Sequence, residues 1–318
     1  MQRWNSLADV PADLGPTVVG IGVFDGVHCG HRAILDRVVE QARERGALSV
    51  IVTFDPHPAQ VVGRPVPLML TDVHRRVQLL LAAGIDRVFV LPFGREISEW
   101  SPAEFVRRLL VGTLHVEHVV IGANFRFGHK QAGDVDTLAE LGREHGFTVE
   151  AMALESAPAG TDPGEPDDPG DVVSSTWIRA RLAEGDVEAA AEGLARLHSV
   201  NGPVVRGDGR GRGLGYPTAN VEVHEGLAVP ADGVYAGWLV RADGSRLPAA
   251  ISVGTNPTFD GTERRVEAYA LDVDIDLYGE HVTIEFARRL RGMERFDGID
   301  ALVAQMREDV EQTRQLLV

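Results

Sequence analysis

The stretch Gly20–His31, GIGVFDGVHCGH, constrains the fold more than any other part of the chain. An apolar run from Val18 to Val23, containing the helix-breaking Gly20 and Gly22, predicts a buried strand. Beyond Phe24-Asp25-Gly26 the spacing turns helical, with Ile34, Leu35, Val38 and Val39 separated by charged residues. The segment therefore reads as strand, tight glycine turn and helix, with His28 and His31 where the turn enters the helix. A helix N-terminus offers unpaired N–H groups and a partial positive charge, which suits a phosphate. Two histidines three apart can both face that phosphate and donate hydrogen bonds to it. Gly30 between them lets a ligand approach the backbone.

Taken singly these features are weak. Strand–glycine–helix turns are common, and Gly20, Gly22 and Gly26 miss the dinucleotide spacing G-x-G-x-x-G. The tetrad H-x-G-H directly after a first strand is more specific. It resembles the signature of the HxGH nucleotidyltransferase superfamily, which transfers nucleotidyl groups from ATP or CTP and releases pyrophosphate.

Residues 18–154 alternate strand and helix. Leu48–Phe54, Arg87–Leu91, His118–Ile121 and Phe147–Leu154 read as strands, and Thr71–Ala83 and Val135–His145 as helices. Ser101-Pro102-Ala103-Glu104 is a capping box with Pro at the first helical position, opening a helix to Leu110. This alternation predicts a doubly wound parallel sheet with ligands beyond the strands' carboxyl ends, where the loops 24–31, 55–58 and 122–130 fall.

Glu155–Asp171 holds four prolines, six acids and no basic residue, and reads as a surface loop without chemistry. Ser174-Ser175-Thr176-Trp177-Ile178-Arg179 follows it and opens a helix through Ala183. Its hydroxyls read by default as caps, although hydroxyls, free N–H groups and an Arg one turn on also suit a triphosphate. A short helix, Asp186–Ala195, leads to a different texture. Short strands separated by Gly, Pro and Asp follow: Val200–Val205, Thr218–Val223, Val234–Val240, Ala249–Val253, Val266–Val273 and His281–Phe286. They predict a small antiparallel barrel. The helix Gly298–Leu317 closes the chain, its stripe of Ile299, Leu302, Val303, Met306 and Val310 expected to be core against the barrel. The fold class is thus α/β, in two domains, 1–185 and 186–318, the length of 318 residues being ample for both.

Composition narrows the function. A net charge of −16 without a basic block disfavours nucleic acid or an anionic membrane as partner. No apolar run approaches the roughly 20 residues of a membrane span, and the N-terminus lacks a signal-peptide pattern. The single Cys29 cannot form an internal disulfide, which fits the cytoplasm. A homo-oligomer remains open.

A second constellation lies between the first two barrel strands. Gly207–Gly215 has five glycines in nine residues and is followed by Tyr216-Pro217-Thr218-Ala219-Asn220. It is not a Walker A loop. Thr218 and Asn220, two apart on a strand, point to one face and suit Mg²⁺, while glycines such as Gly209 and Gly211 let backbone N–H groups wrap a phosphate chain. Periodicity alone reads Glu267 as an exposed strand residue.

Together these stretches resemble the bifunctional bacterial riboflavin kinase/FMN adenylyltransferase (FAD synthetase) family. The resemblance rests on G-x-F-D-G-V-H-x-G-H (22–31), T-F-D-P-H-P (53–58), I-G-x-N-F-x-F-G (121–128) and S-S-T-x-I-R (174–179). In the second half it rests on G-x-G-R-G-x-G-L-G-Y-P-T-A-N (207–220), P-A-D-G-V-Y-A-G (230–237), S-V-G-T-N-P-T (252–258) and V-E-A-Y (266–269). It implies that the barrel phosphorylates riboflavin with ATP and that the first domain moves AMP from a second ATP onto FMN. Carried over, Glu267 is the base, Thr218 and Asn220 hold Mg²⁺, and Gly209 and Gly211 contact ATP. His28 and His31 act catalytically and, with Gly22, Asp25, Asn124, Ser175, Thr176 and Arg179, hold the other ATP, while Pro56, His57 and Pro58 contact flavin. The chain departs from the family's L-G-R-x-Y before the barrel, reading Leu194-Ala195-Arg196-Leu197-His198, and has Asn124 where many relatives have Asp.

Overall fold

The computed structural model describes residues 2–153, 173–207, 210–258, 261–273 and 275–318. The acidic loop 155–171 and Gly209 lie outside them. The chain divides into two compact units, Met1–Pro67 with Thr71–Ser174, and Leu68–Leu70 with Ser175–Val318.

The first unit is built on a parallel sheet of six strands: β1 (Arg3–Trp4), β2 (Thr17–Ile21), β3 (Leu48–Asp55), β4 (Arg87–Pro92), β5 (Val116–Gly122) and β6 (Thr148–Met152). Their order is β1-β4-β3-β2-β5-β6, so the chain runs outward from β2 on one side and then returns to β2's other edge with β5. All of β2 is buried, which explains its unbroken apolar sequence. The helix Cys29–Arg45 packs on it through Leu35, Val38 and Ala42. Gly20 is required at this contact, since a Cβ there would lie 2.5 Å from Ile51 and 3.1 Å from Val38. The Ser101 capping box is present, with the Glu104 amide donating to Ser101 Oγ at 3.2 Å and the Ser101 amide to Glu104 Oε2 at 2.9 Å. The helix it opens continues past Phe105 as a wider π-type turn, Val106–Val111.

The second unit is a closed antiparallel barrel of β7 (His198–Val205), β8 (Ala219–Val221), β9 (Gly233–Val240), β10 (Arg246–Thr258), β11 (Gly261–Ala270) and β12 (His281–Arg291), in the order β10-β11-β8-β7-β12-β9. Tyr235, Leu239, Ile251, Val253, Ile284 and Phe286 fill its interior. Several boundaries differ from expectation: β7, β10 and β11 begin earlier than read, and β10 and β12 end later. β8 is three residues long rather than the six read from Thr218–Val223, and β11 ends at Ala270 because Leu271-Asp272 turn, with Asp272 left-handed at φ 56°.

The compact units part between Ser174 and Ser175, and the helix Ser175–Glu184 groups with the barrel unit. The physical reason lies at its far end. The Ala231 amide donates to Leu182 O at 2.8 Å and Arg289 Nη1 to Glu184 O at 2.8 Å, while Trp177, Ile178 and Leu182 are buried.

The closing helix, Ile299–Leu317, corrects a second expectation. Its fully buried positions are Asp309 and Thr313, and Ile299 is 67% exposed. Leu302, Met306 and Val310 face the barrel across an open recess rather than sealing a core.

Candidate active sites

In the first unit, the strand order brings β3, β2 and β5 side by side. Their carboxyl ends release the three loops bearing the expected residues: Asp55–Pro58, Gly22–His28 and Gly122–Phe125. The chain reverses direction across the sheet at β2, so these loops flank a switch point, the usual ligand crevice of such sheets.

The turn after β2 is strained. Phe24 and Val27 are left-handed at φ 52° and 42°, a conformation costly for side chains with a Cβ, most of all a β-branched one. Burial of both residues, at 2% and 3% exposure, holds them there through packing with Leu35 and Val38. Asp25 is also buried. Its Oδ1 accepts from the Thr71 amide at 3.1 Å and from Thr71 Oγ1 at 3.4 Å, while Thr71 Oγ1 accepts from the Gly26 amide at 3.2 Å. Asp25 therefore braces the turn. Gly22 sits against the Phe24 ring, which a Cβ would approach to 3.1 Å.

This brace delivers His28 as the N-cap of the helix Cys29–Arg45. The His28 and His31 rings stack with centroids 3.6 Å apart at 27°, and Phe24 meets the His31 ring edge-on at 5.1 Å. The His28 amide donates to His31 Nδ1 at 3.3 Å. The two imidazoles thus form one face at a helix N-terminus. Val173 passes beside Gly30, its carbonyl 3.6 Å from where a Gly30 Cβ would be. On the neighbouring loops, Asn124 is exposed just beyond β5 with Oδ1 folded back over Gly122. His57 caps the short helix Pro58–Val61, accepting from the Ala59 amide at 3.1 Å, and Pro56 precedes it.

Ser175, Thr176 and Arg179 lie on the first turns of the helix grouped with the barrel. Arg179 Nε donates to Leu68 O at 2.7 Å.

In the barrel, register assembles the second site. Glu267 on β11 stands opposite Asn220 on β8 and opposite Ser252 on β10. Its neighbours Val266 and Ala268 are buried in the barrel, so alternation turns Glu267 outward. It is not a plain exposed residue: it is half-buried, and Thr218 Oγ1 donates to its Oε2 at 3.2 Å. The glycine loop closes on the same group. A Cβ on Gly207 would fall 2.4 Å from the Asn220 amide, and one on Gly211 would fall 2.3 Å from Tyr216 O and 3.6 Å from Thr218 Oγ1. Only glycine permits both approaches.

Two recesses open at Thr218. One, of about 300 Å³, lies between the barrel wall and the closing helix, lined by Glu267, Tyr269, Met293, Phe296, Leu302 and Met306. The other, of about 280 Å³, is lined by Pro217, Thr218, Val273, Ile275, Leu277 and Tyr278. Thr218 borders both. In the first recess, burial, with Asp272 and Tyr216 nearby, pushes the Tyr269 phenol up, so it stays protonated. Arg291 and Asp309 form a bidentate ion pair at its edge, at 2.9 and 2.7 Å, which pushes the Arg291 guanidinium up.

Sequence reasoning missed the recess-lining residues Tyr269, Met293 and Phe296 and the Arg291–Asp309 pair. One signal was available: Met293 and Phe296 are apolar residues in an otherwise polar stretch, 292–298.

Comparison with known proteins matches a separate family model to each half of the chain. The FAD synthetase family model matches residues 10–158 and the riboflavin kinase family model residues 194–317. The bifunctional riboflavin kinase/FMN adenylyltransferase of Pseudomonas fluorescens is 37% identical over 317 residues, covering 99% of this chain and 98% of the relative. That of Listeria monocytogenes is 35% identical over 300 residues, covering 93% and 91%. A solved structure described as a macrolide-efflux protein from Streptococcus pneumoniae superposes with a TM-score of 0.85 at 29% identity, covering 98% of both chains. Among the described residues no helix is long and apolar enough to cross a membrane. The chain belongs to the bifunctional riboflavin kinase/FMN adenylyltransferase family.

Proposed function

We propose that the barrel unit transfers the γ-phosphate of ATP to riboflavin, giving FMN and ADP. The first unit then transfers AMP from a second ATP to FMN, giving FAD and pyrophosphate. The observation that carries the kinase assignment is that Thr218 borders both recesses and donates to Glu267. A donor nucleotide in one recess and an acceptor flavin in the other meet at that pair. The apolar, aromatic recess suits the flavin ring system, and Glu267 accepts the proton of the ribityl hydroxyl as it attacks phosphorus. Thr218 orients the carboxylate.

The donor set fits Mg²⁺. Thr218 and Asn220 are neutral oxygen ligands beside the Glu267 carboxylate, which suits a hard cation that keeps its waters and phosphate oxygens. No group of three or more His, Cys, Asp or Glu able to hold a metal occurs among the described residues. When bound, the ion neutralises charge on the phosphates. Gly207 and Gly211, with Gly209 between them in sequence, leave the backbone free to line that chain.

In the first unit His28 and His31 donate to the triphosphate as charge passes to the leaving pyrophosphate. Gly22 and Asp25 hold the turn, Asn124 contacts the nucleoside, and Pro56, His57 and Pro58 contact FMN. Ser175, Thr176 and Arg179 are read as ATP-binding from the S-S-T-x-I-R motif. Both steps are direct displacements at phosphorus, in which alignment supplies much of the acceleration. A cytoplasmic setting is supported by the lone Cys29.

Incubating the pure protein with riboflavin, ATP and Mg²⁺ and separating the flavins tests the whole reading. FMN followed by FAD supports it. One product class alone would mean a single working unit, and no turnover would mean a flavin-binding protein without catalysis.

A further inference from the structure

Arg76 lies on the helix Val73–Ala82, only 4% exposed, among the core residues Val77 and Leu80. Its Nη1 donates to Val23 O at 2.9 Å, to Thr53 Oγ1 at 2.9 Å and to Phe54 O at 3.3 Å. Thr53 Oγ1 in turn donates to Val23 O at 2.8 Å. One nitrogen thus joins the ends of two adjacent strands. Val23 immediately precedes the strained turn that delivers His28, and Phe54 immediately precedes Asp55-Pro56-His57-Pro58.

Taking a guanidinium out of water is costly. Burial pushes Arg76 down, and the carboxylates of Asp25, Asp55 and Asp72 oppose that shift. Its Nε is buried without a hydrogen-bond partner among the described residues. An aliphatic side chain would fill this helix face, as at Val77 and Leu80, without either cost. Packing alone does not explain an arginine here.

We propose that Arg76 is a positioning residue for adenylyl transfer, setting the distance between the His28–His31 turn and the Asp55–Pro58 loop. This rests on reading those loops as the ATP and flavin subsites. Each subsite is complete without Arg76, but their relative placement is not. A misplacement of about 1 Å between reacting groups costs on the order of 10²-fold in rate.

The test uses the full chain with Arg76→Met and Arg76→Lys, measuring kcat and both KM values for FMN adenylylation. Riboflavin phosphorylation reports on the other unit, and cooperative unfolding shows whether the first unit is folded. Arg76→Met should lower adenylylation kcat about 100-fold with the KM for ATP and for FMN each within about threefold. Arg76→Lys, whose ammonium can donate to the same oxygens, should recover about tenfold of that loss. A role in stability alone would leave kcat of the folded variant unchanged. Folded Arg76→Met with kcat within threefold of the parent overturns the proposal. If that variant does not fold, Thr53→Val decides. It keeps the volume and removes the bridging hydroxyl, and it should cost about tenfold in kcat; an unchanged kcat overturns the proposal equally. His31→Ala separates the two levels. If it retains adenylylation, the reading of the turn is wrong. If it is inactive while Arg76→Met is active, only the role of Arg76 is refuted.

Discussion

Thr218 and Glu267, 49 residues apart in sequence, meet through a 3.2 Å hydrogen bond on the outer wall of the barrel. The pair lies where two recesses share a border. Glu267→Gln preserves size and hydrogen bonding but removes the base. Riboflavin phosphorylation should fall about 10²–10⁴-fold, with riboflavin binding by fluorescence quenching retained and FMN adenylylation untouched. Kinase activity near that of the parent would remove Glu267 from the role of base.

Asn220 faces Glu267 across the β8–β11 ladder and packs on Gly207. Asn220→Ala removes one oxygen ligand beside the phosphates. The Mg²⁺ concentration for half-maximal kinase activity should rise, with maximal rate reduced. A superimposable Mg²⁺ titration would show that Asn220 does not touch the ion.

How much of this was legible in the sequence differs by element. Apolar runs showed the buried parallel strands β2 to β5, and alternation the half-buried barrel strands, because those patterns follow directly from which faces are buried. β1 was invisible, since Arg3–Trp4 is too short to carry a period. The closing helix was readable as a stripe, but a stripe facing a recess and a stripe sealing a core share one spacing. Burial of Asp309 and exposure of Ile299 separate them only in the folded chain. Glu267 reached the site through motif resemblance, because alternation alone predicts only that it points outward. Arg76 went unread although helical spacing marks it. It takes the i+3 place in the stripe Val73, Val77 and Leu80, whereas Arg75 falls off that stripe.

The junction before the barrel carries a strain that the sequence hinted at. Ala195, where relatives have glycine, caps the helix Val187–Leu194 in the left-handed conformation at φ 52°. That conformation costs a residue with a Cβ roughly 1–2 kcal/mol, part of which glycine gives back through the entropy of its unfolded chain. Ala195→Gly should therefore stabilise the protein by about 0.5–1 kcal/mol. The urea midpoint would move upward at constant slope; a lower midpoint would contradict this.

His198, at the family's usual aromatic position, stacks near Phe286 with ring centroids 6.1 Å apart and donates from Nε2 to Ala228 O at 2.8 Å. Burial pulls its pKa down to about 4, below the unfolded value of about 6.5. The unfolded chain therefore takes up the proton first as pH falls. The contribution of His198 is fully present above about pH 6.5 and declines toward pH 4, at up to about 1.4 kcal/mol per pH unit. His198→Phe should flatten that segment of the stability–pH curve. Parallel curves for both proteins between pH 6.5 and 4 would refute the assignment.

The central claim is that two phosphorus-transfer sites, one at the His28–His31 turn and one at Thr218–Glu267, work in series. A flavin time course with His31→Ala and Glu267→Gln tests it most directly. Supplied with riboflavin, Mg²⁺ and ATP, His31→Ala should accumulate FMN and form FAD about 10²–10³-fold more slowly, losing roughly 2.7–4 kcal/mol of transition-state stabilisation in the second step. Glu267→Gln should leave riboflavin largely unchanged yet convert added FMN to FAD at the parental rate. Loss of both activities in either folded variant, or FAD formation by His31→Ala within tenfold of the parent, would contradict the account.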